Sequence, residues 1–378
     1  MAESMRVTVK RGISQASDEQ QAVAEFCAAI AQPDTVGTIF FCSSKYDLKR
    51  LGRELQASLS GPLVGCTTSG ELSTTGYTEH SIVGASISSA ELRIHPRLIT
   101  PLTRFGLPES EDLVSSLQQE LTLINSLTRD QSFGLLLVDG MSMLEEQVIA
   151  SLYNAIGGVR IIGGSAGDDL KFEQTWVYAD GEFISDAAVF ALFETTLPFM
   201  IFRTQHFQPS DKRLVITASD PPHRVVSEIN GEPAAAEYAR LVGLTCDELT
   251  PMVFSKHPVM LKIGGEHFVR SIQKVNEDRS LSFYCAIDNG LVLTVAEGVD
   301  LVKNLHAQLD AITSAMPNPQ LIIGFDCILR RLEIMEKSLA ADVEHEFAGH
   351  NIIGFSTYGE QFNAVHVNQT LTGVAIGG

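Results

Sequence analysis

One signature occurs three times in the chain: a short apolar run, a turn of small residues, then a glycine followed by an acid. It reads Leu63-Val64-Gly65-Cys66-Thr67-Thr68-Ser69-Gly70-Glu71, then Ile161-Ile162-Gly163-Gly164-Ser165-Ala166-Gly167-Asp168, then Ile352-Ile353-Gly354-Phe355-Ser356-Thr357-Tyr358-Gly359-Glu360. Each copy follows an earlier apolar run, ending at Cys42, Asp139 or Asp326, at the same distance in the first two copies and slightly farther in the third. Another apolar run follows each turn, over residues 82–87, 187–193 and 371–376. Each unit therefore reads strand, helix, strand, turn, strand. A period of roughly one hundred residues is too long for a solenoid and predicts related α/β modules that share sheets.

A chain of 378 residues with 44% apolar side chains can bury one large core or two ordinary ones. Two lobes are expected, residues 1–222 with the first two units and residues 223–378 with the third. The fold class is α/β, with mixed β-sheets flanked by helices. A net charge of −19 repels phosphate backbones and anionic lipid, which argues against nucleic-acid and membrane-surface roles. Residues 1–12 hold no apolar stretch suited to a signal peptide, and no run is long enough for a membrane helix, so a cytoplasmic protein is expected. Six scattered cysteines without a CxxC pair read as reduced, buried thiols.

Apolar spacing predicts helices over residues 18–31, 47–59, 113–124, 144–156 and 299–316. A hairpin is expected over residues 175–184 around Asp180-Gly181, and an antiparallel meander over residues 259–293. Between Phe193 and Pro222 the prolines break the pattern and suggest a crossing between lobes. A strand that ends in Gly and small hydroxyl residues lets a ligand approach its backbone N–H groups. The pairs Gly70/Glu71, Gly167/Asp168 and Gly359/Glu360 are therefore the expected walls of a pocket between the lobes. None of the turns matches a nucleotide-binding motif. Replacing one of these glycines by Val is expected to do more damage than the same change at Gly134.

The turns, the Asp326-Cys327-Ile328-Leu329-Arg330 segment and the terminal stretch from Gly354 to Thr370 resemble the FIST sensory domain, N- and C-terminal halves together. Tyr358-Gly359-Glu360-Gln361, His366-Val367-Asn368-Gln369-Thr370 and Val269-Arg270-Ser271-Ile272-Gln273-Lys274 are similar to segments of the NosP-type nitric-oxide-sensing proteins. The resemblance implies a receptor that binds haem b and detects nitric oxide. Its output would pass to a cognate histidine kinase, diguanylate cyclase or phosphodiesterase, and so to biofilm behaviour.

A haem sensor needs an axial ligand, commonly a neutral imidazole or a thiolate, in an enclosed site. His206 and His366 lie in family-like segments and are the two candidate ligands; Arg330 is the candidate partner of a propionate. Cys66 and Cys327 are weaker candidates, because a thiolate needs electropositive neighbours. An enzyme is not expected: Cys66 or Ser165 could be a nucleophile, but no GxSxG elbow or local base accompanies them. The alternative is a haem-free FIST sensor that binds a small metabolite such as an amino acid, with Glu71, Asp168, Glu360 and Arg330 as polar anchors.

Overall fold

Residues 6–378 of the chain are described by a computed structural model. Met1–Met5, the beginning of the segment read as free of a signal peptide, lie outside the described residues. The first two predicted strands of each unit form a parallel pair: Thr35–Ser43 beside Leu63–Thr68, Ser132–Val138 beside Arg160–Ser165, and Leu321–Cys327 beside Ile352–Thr357. The third strand of each unit, Ile82–Ser88, Ala188–Thr195 or Leu371–Ile376, runs antiparallel on the other side of the first. A further antiparallel strand, Thr8–Ser14, Leu92–Ile99 or Phe199–Thr204, closes that edge.

The short hairpin after each turn does not return to its own sheet. Glu71–Ser73 and Gly76–Thr78 of the first unit extend the sheet of the third, pairing Leu72 with Gly354. Val177–Ala179 and Glu182–Ile184 of the second unit extend the sheet of the first. Glu360–Phe362 and Val365–Val367 of the third extend the sheet of the second. The exchange is cyclic, and each six-stranded sheet is complete only with a piece of another unit.

Strand composition explains why the three sheets close on one another. The strands are apolar on both faces, as expected when helices cover one side and another sheet the other. Ile39, Phe41 and Val64 from the first sheet meet Leu135, Leu137 and Ile162 from the second and Ile323, Phe325 and Phe355 from the third in one core. Phe41 sits 4.7 Å from Phe355 and 6.3 Å from Phe325, ring centre to ring centre. Outside, helices Glu19–Ile30 and Leu48–Ser58 start at Asp18 and Asp47, whose carboxylates accept the N–H of Gln21 and Arg50. Phe26, Ile30, Leu51 and Leu55 then pack on the outer face of the first sheet.

A fourth, eight-stranded antiparallel sheet holds the predicted meander within a larger frame. The stretch read as a crossing is in fact two strands, Phe199–Thr204 in the third sheet and Phe207–Asp220 in the fourth. The prolines concealed them. Pro209 is accommodated because pairing with Val292–Gly298 slips between Pro209 and Arg213, where no ladder N–H is required. The 222/223 boundary falls in the connection between strands Phe207–Asp220 and Val225–Ile229, which pair with each other. Predicted helices appear at Glu145–Ala155 and Leu301–Ala315, while the one expected over 113–124 starts and ends earlier, at Leu107–Gln119, with Leu121 and Ile124 beyond its end. Among the described residues, no helix is long and apolar enough to cross a membrane.

Candidate functional site

The three turns meet at the carboxyl ends of the parallel strands. Gly167 donates its N–H to Thr67 at 3.0 Å, Ser69 to Ser356 at 3.1 Å and Tyr358 to Ser165 at 3.2 Å, one bond from each unit to the next. The ring is packed by these bonds, and open space lies beside it. Gly70 (φ +111°) turns the chain into the neighbouring sheet, and a Cβ there would stand 1.6 Å from Nη1 of Arg331. Gly359 (φ +156°) makes the same turn, and its Cβ would stand 2.2 Å from Cε1 of His366. Gly134 is no neutral comparison, since a Cβ there would be 2.4 Å from the Phe190 ring.

Glu71 and Glu360 occupy matching corners. Glu71 accepts from the hydroxyls of Thr68 and Ser81 and from the Ser81 N–H. Glu360 accepts from Thr357 Oγ1 at 2.6 Å and from Thr370 Oγ1 at 2.6 Å and its N–H at 3.2 Å. Burial pushes the two carboxyls up to about 7 and about 8 despite these bonds. Asp168 is not their counterpart. The register places Val177 opposite Cys66 where Glu71 stands opposite Phe355 and Glu360 opposite Gly164. The corner of the second unit is tied instead by Asp139, which accepts from the Thr175 hydroxyl and from the N–H of Met141 and Asp186. Asp168 organises the extra loop of that unit, accepting the N–H of Phe172, Glu173 and Gln174 and the Tyr358 hydroxyl. Burial raises its carboxyl, but these donors together hold it below the ordinary value.

His206 and His366 differ sharply. His206 Nε2 lies 2.8 Å from Glu333, which also accepts from Lys337 at 2.6 Å. Arg330 donates through Nε to Asp326 at 3.0 Å, and Tyr77 donates its hydroxyl to the same carboxylate. These groups form a buried ionic layer between helix Ile328–Glu336 and the third sheet. His366 is fully buried, with no carboxylate bonded to its ring among the described residues. Burial drives its pKa down to about 4, so the imidazole is neutral at physiological pH. Gln361 bridges its Nδ1, at 3.2 Å, to the Ser165 hydroxyl, at 3.0 Å. Arg270 holds the His366 carbonyl at 2.6 Å.

His366 Nε2, Asn368 Nδ2, Arg270 Nε, Ser271 Oγ and Gln361 Oε1 are all buried without a partner among the described residues. An unpaired buried polar atom is expensive, so such a cluster calls for a partner, whether a buried water, an ion or another molecule. Arg270, Gln361 and Asn368 lay within the family-like segments quoted from the sequence, but only the fold joins strand Glu266–Arg270 to the hairpin of the third unit. The site also touches the rest of the chain: Arg224 donates to Glu145 and Glu146, both at 2.7 Å, and Glu146 accepts the N–H of Ala286 at 2.6 Å.

A second place is open to solvent. A cleft of about 210 Å³ lies where the first parallel pair ends, between Lys45, His80 and Asp169 on one side and Arg331 on the other. Asp169 Oδ2 accepts from Ser43 Oγ, Ser44 N and Ser44 Oγ at 2.8–3.0 Å. Arg331 binds the Ser69 carbonyl and Glu79, and the buried Ser69 hydroxyl has no partner among the described residues. His80, Asp169 and Leu170 hold φ angles of +54°, +57° and +66°, strain of a kind that gathers at ligand clamps. The thiols of Cys42, Cys66 and Cys327 are buried and pushed well above their ordinary value, which disfavours thiolates.

Comparison with known proteins agrees with the resemblance at family level. The chain is 24% identical over 267 residues to an uncharacterized protein of Methanocaldococcus jannaschii, an alignment covering 61% of this chain and 51% of that protein. The chain thus spans about half the length of the relative it matches. The FIST N domain model matches residues 38–232 and the FIST C domain model residues 234–363. The chain belongs to the FIST family, whose domains indicate a sensory role in signal transduction.

Proposed function

We propose that the protein is a haem-dependent nitric-oxide sensor in which His366 is the axial ligand, acting on a partner histidine kinase or cyclic-di-GMP enzyme. The observation that carries this reading is the neutral, enclosed imidazole whose Nε2 has no partner. Those are the properties an iron ligand needs, and His206, bonded to Glu333, fits less well. With the Gln361 amide turned, its Oε1 accepts the Nδ1–H of His366 and the Ser165 hydroxyl, so that Nε2, which lies against Gly359, is the nitrogen without a proton. Arg270, through its unpaired Nε, suits a propionate better than Arg330, which is engaged by Asp326. Haem, when bound, supplies the ferrous iron that nitric oxide would coordinate. The test is an absorption spectrum of protein reconstituted with haem, reduced, then exposed to nitric oxide. A stoichiometric Soret band that shifts with the gas supports the reading; a chain that takes up no haem overturns it.

The open cleft favours a second reading, a haem-free sensor of a small metabolite such as an amino acid. Arg331 and Lys45 would meet a carboxylate, and Asp169 an ammonium group. Its test is thermal stabilisation by a panel of α-amino acids. Stabilisation lost in Arg331→Met supports this reading, and a flat response across the panel overturns it.

A further inference from the structure

One part of the outer face of the fourth sheet holds two basic side chains close together in a chain of 27 basic and 46 acidic residues. Arg213, Lys262 and His267 line one cleft there, of about 550 Å³, with Val292 and Thr294 on its floor. Strand alternation puts these side chains on one face. Arg213 pairs with Thr294 and Lys262 with His267, while the intervening Leu214 and Leu293 point into the core behind. Val292 is 53% exposed, the most open large apolar side chain on this sheet.

Neither Arg213 nor Lys262 has an ion-pair partner among the described residues. Glu266, beside His267, is occupied by Arg203 at 2.8 Å, and Asp211 lies in the irregular stretch between Pro209 and Arg213. The rest of the surface must carry the large negative excess, so two unpaired cations on either side of an exposed strand face, with the imidazole of His267 beside them as a further hydrogen-bonding group, are complementary to carboxylates supplied from outside.

We propose that this face docks an extended acidic segment of a partner protein, its carboxylates on Arg213 and Lys262 and its apolar side chains on Val292. An extended segment presents alternate residues to a sheet face, which matches a floor of valine and threonine between cations. The net charge of −19 opposes the long polyanionic backbone of a nucleic acid while still permitting a short acidic segment. The cleft is lined by Arg213, Lys262 and Val292 and not by His366, so the full chain without haem is used for the test.

Fluorescence anisotropy with a fluorescein-labelled peptide of alternating Glu and Leu reads the interaction directly. Saturable binding below about 1 mM is expected, weakened about tenfold or more by Arg213→Glu with Lys262→Glu and by raised salt. A peptide of alternating Lys and Leu should not bind. Both substitutions are at exposed positions, and an unchanged circular dichroism spectrum and melting temperature will show that the variant is folded. Absence of saturable binding, or equal binding by the double variant, overturns the proposal. Tighter binding of a single-stranded oligonucleotide through the same two residues would also overturn it, in favour of a nucleic-acid partner.

Discussion

Glu71 and Glu360 are fully buried carboxyls held by hydroxyl and N–H donors, with no ion-pair partner among the described residues. Because burial lifts Glu360 from 4.5 to about 8, the folded chain keeps a proton that the unfolded chain releases near pH 4.5. Stability from this group is therefore lost as pH rises from about 5 to about 8, and the loss is level above that. Glu360→Gln should remove this dependence, gaining on the parent by up to about 1.4 kcal/mol per pH unit across that window in urea melts. An equal slope in both proteins would show that Glu360 ionises freely. His366 works in the opposite direction: its pKa falls to about 4, so stability is lost as pH drops from about 6.5 to about 4 while the unfolded chain gains a proton. Gly359→Ala should cost more than Gly290→Ala. Both have positive φ, but only Gly359 is pressed against a side chain, whereas Gly290 faces open space. A left-handed Ala costs about 1–2 kcal/mol, and the contact with His366 adds to it. Matching urea midpoints would remove the case for a tight turn.

At the scale of the element, the exchanged hairpin is the device that turns three repeats into one body. Leu72 belongs to the first unit, yet it is buried in the outer core of the third with Leu305, Ile322 and Ile352. Leu72→Ala should cost about 2–5 kcal/mol, and hydrogen exchange should quicken in Ile352–Thr357 before it does in Thr8–Ser14. Loosening confined to the first sheet would contradict the exchange. The repeat, its strands and most helices were legible because apolar runs and small-residue turns are local signals. The destination of each hairpin was not, since Glu71–Ser73 is too short to state its partner. The apparent equivalence of Asp168 with Glu71 came from a shared Gly-acid pair, whereas the register shows eight additional residues, 168–175, before Trp176 takes the place of Gly70. At the candidate site His366 was legible from its segment. Arg330 was singled out because it falls in the family-like segment, and nothing in the sequence indicated that Arg330 faces Asp326 while Arg331 faces Gly70.

For the whole molecule, the cyclic exchange makes the two matched domains interdependent. A fragment ending at residue 232 would lose Glu360–Val367 from its second sheet and leave Glu71–Thr78 without a sheet to join. It should lack a cooperative melt and dispersed amide resonances, and a fragment that folds alone would contradict the account. Interdependence also suits a sensor, because a change at His366 reaches the fourth sheet through Arg270 and the second unit through Gln361 and Ser165. The most direct measurement is a haem titration of His366→Ala beside His206→Ala and the parent, with circular dichroism to show that each is folded. The account predicts a stoichiometric Soret band in the parent and in His206→Ala, and its loss or displacement in folded His366→Ala. A band unchanged in His366→Ala, or lost only in His206→Ala, would contradict it.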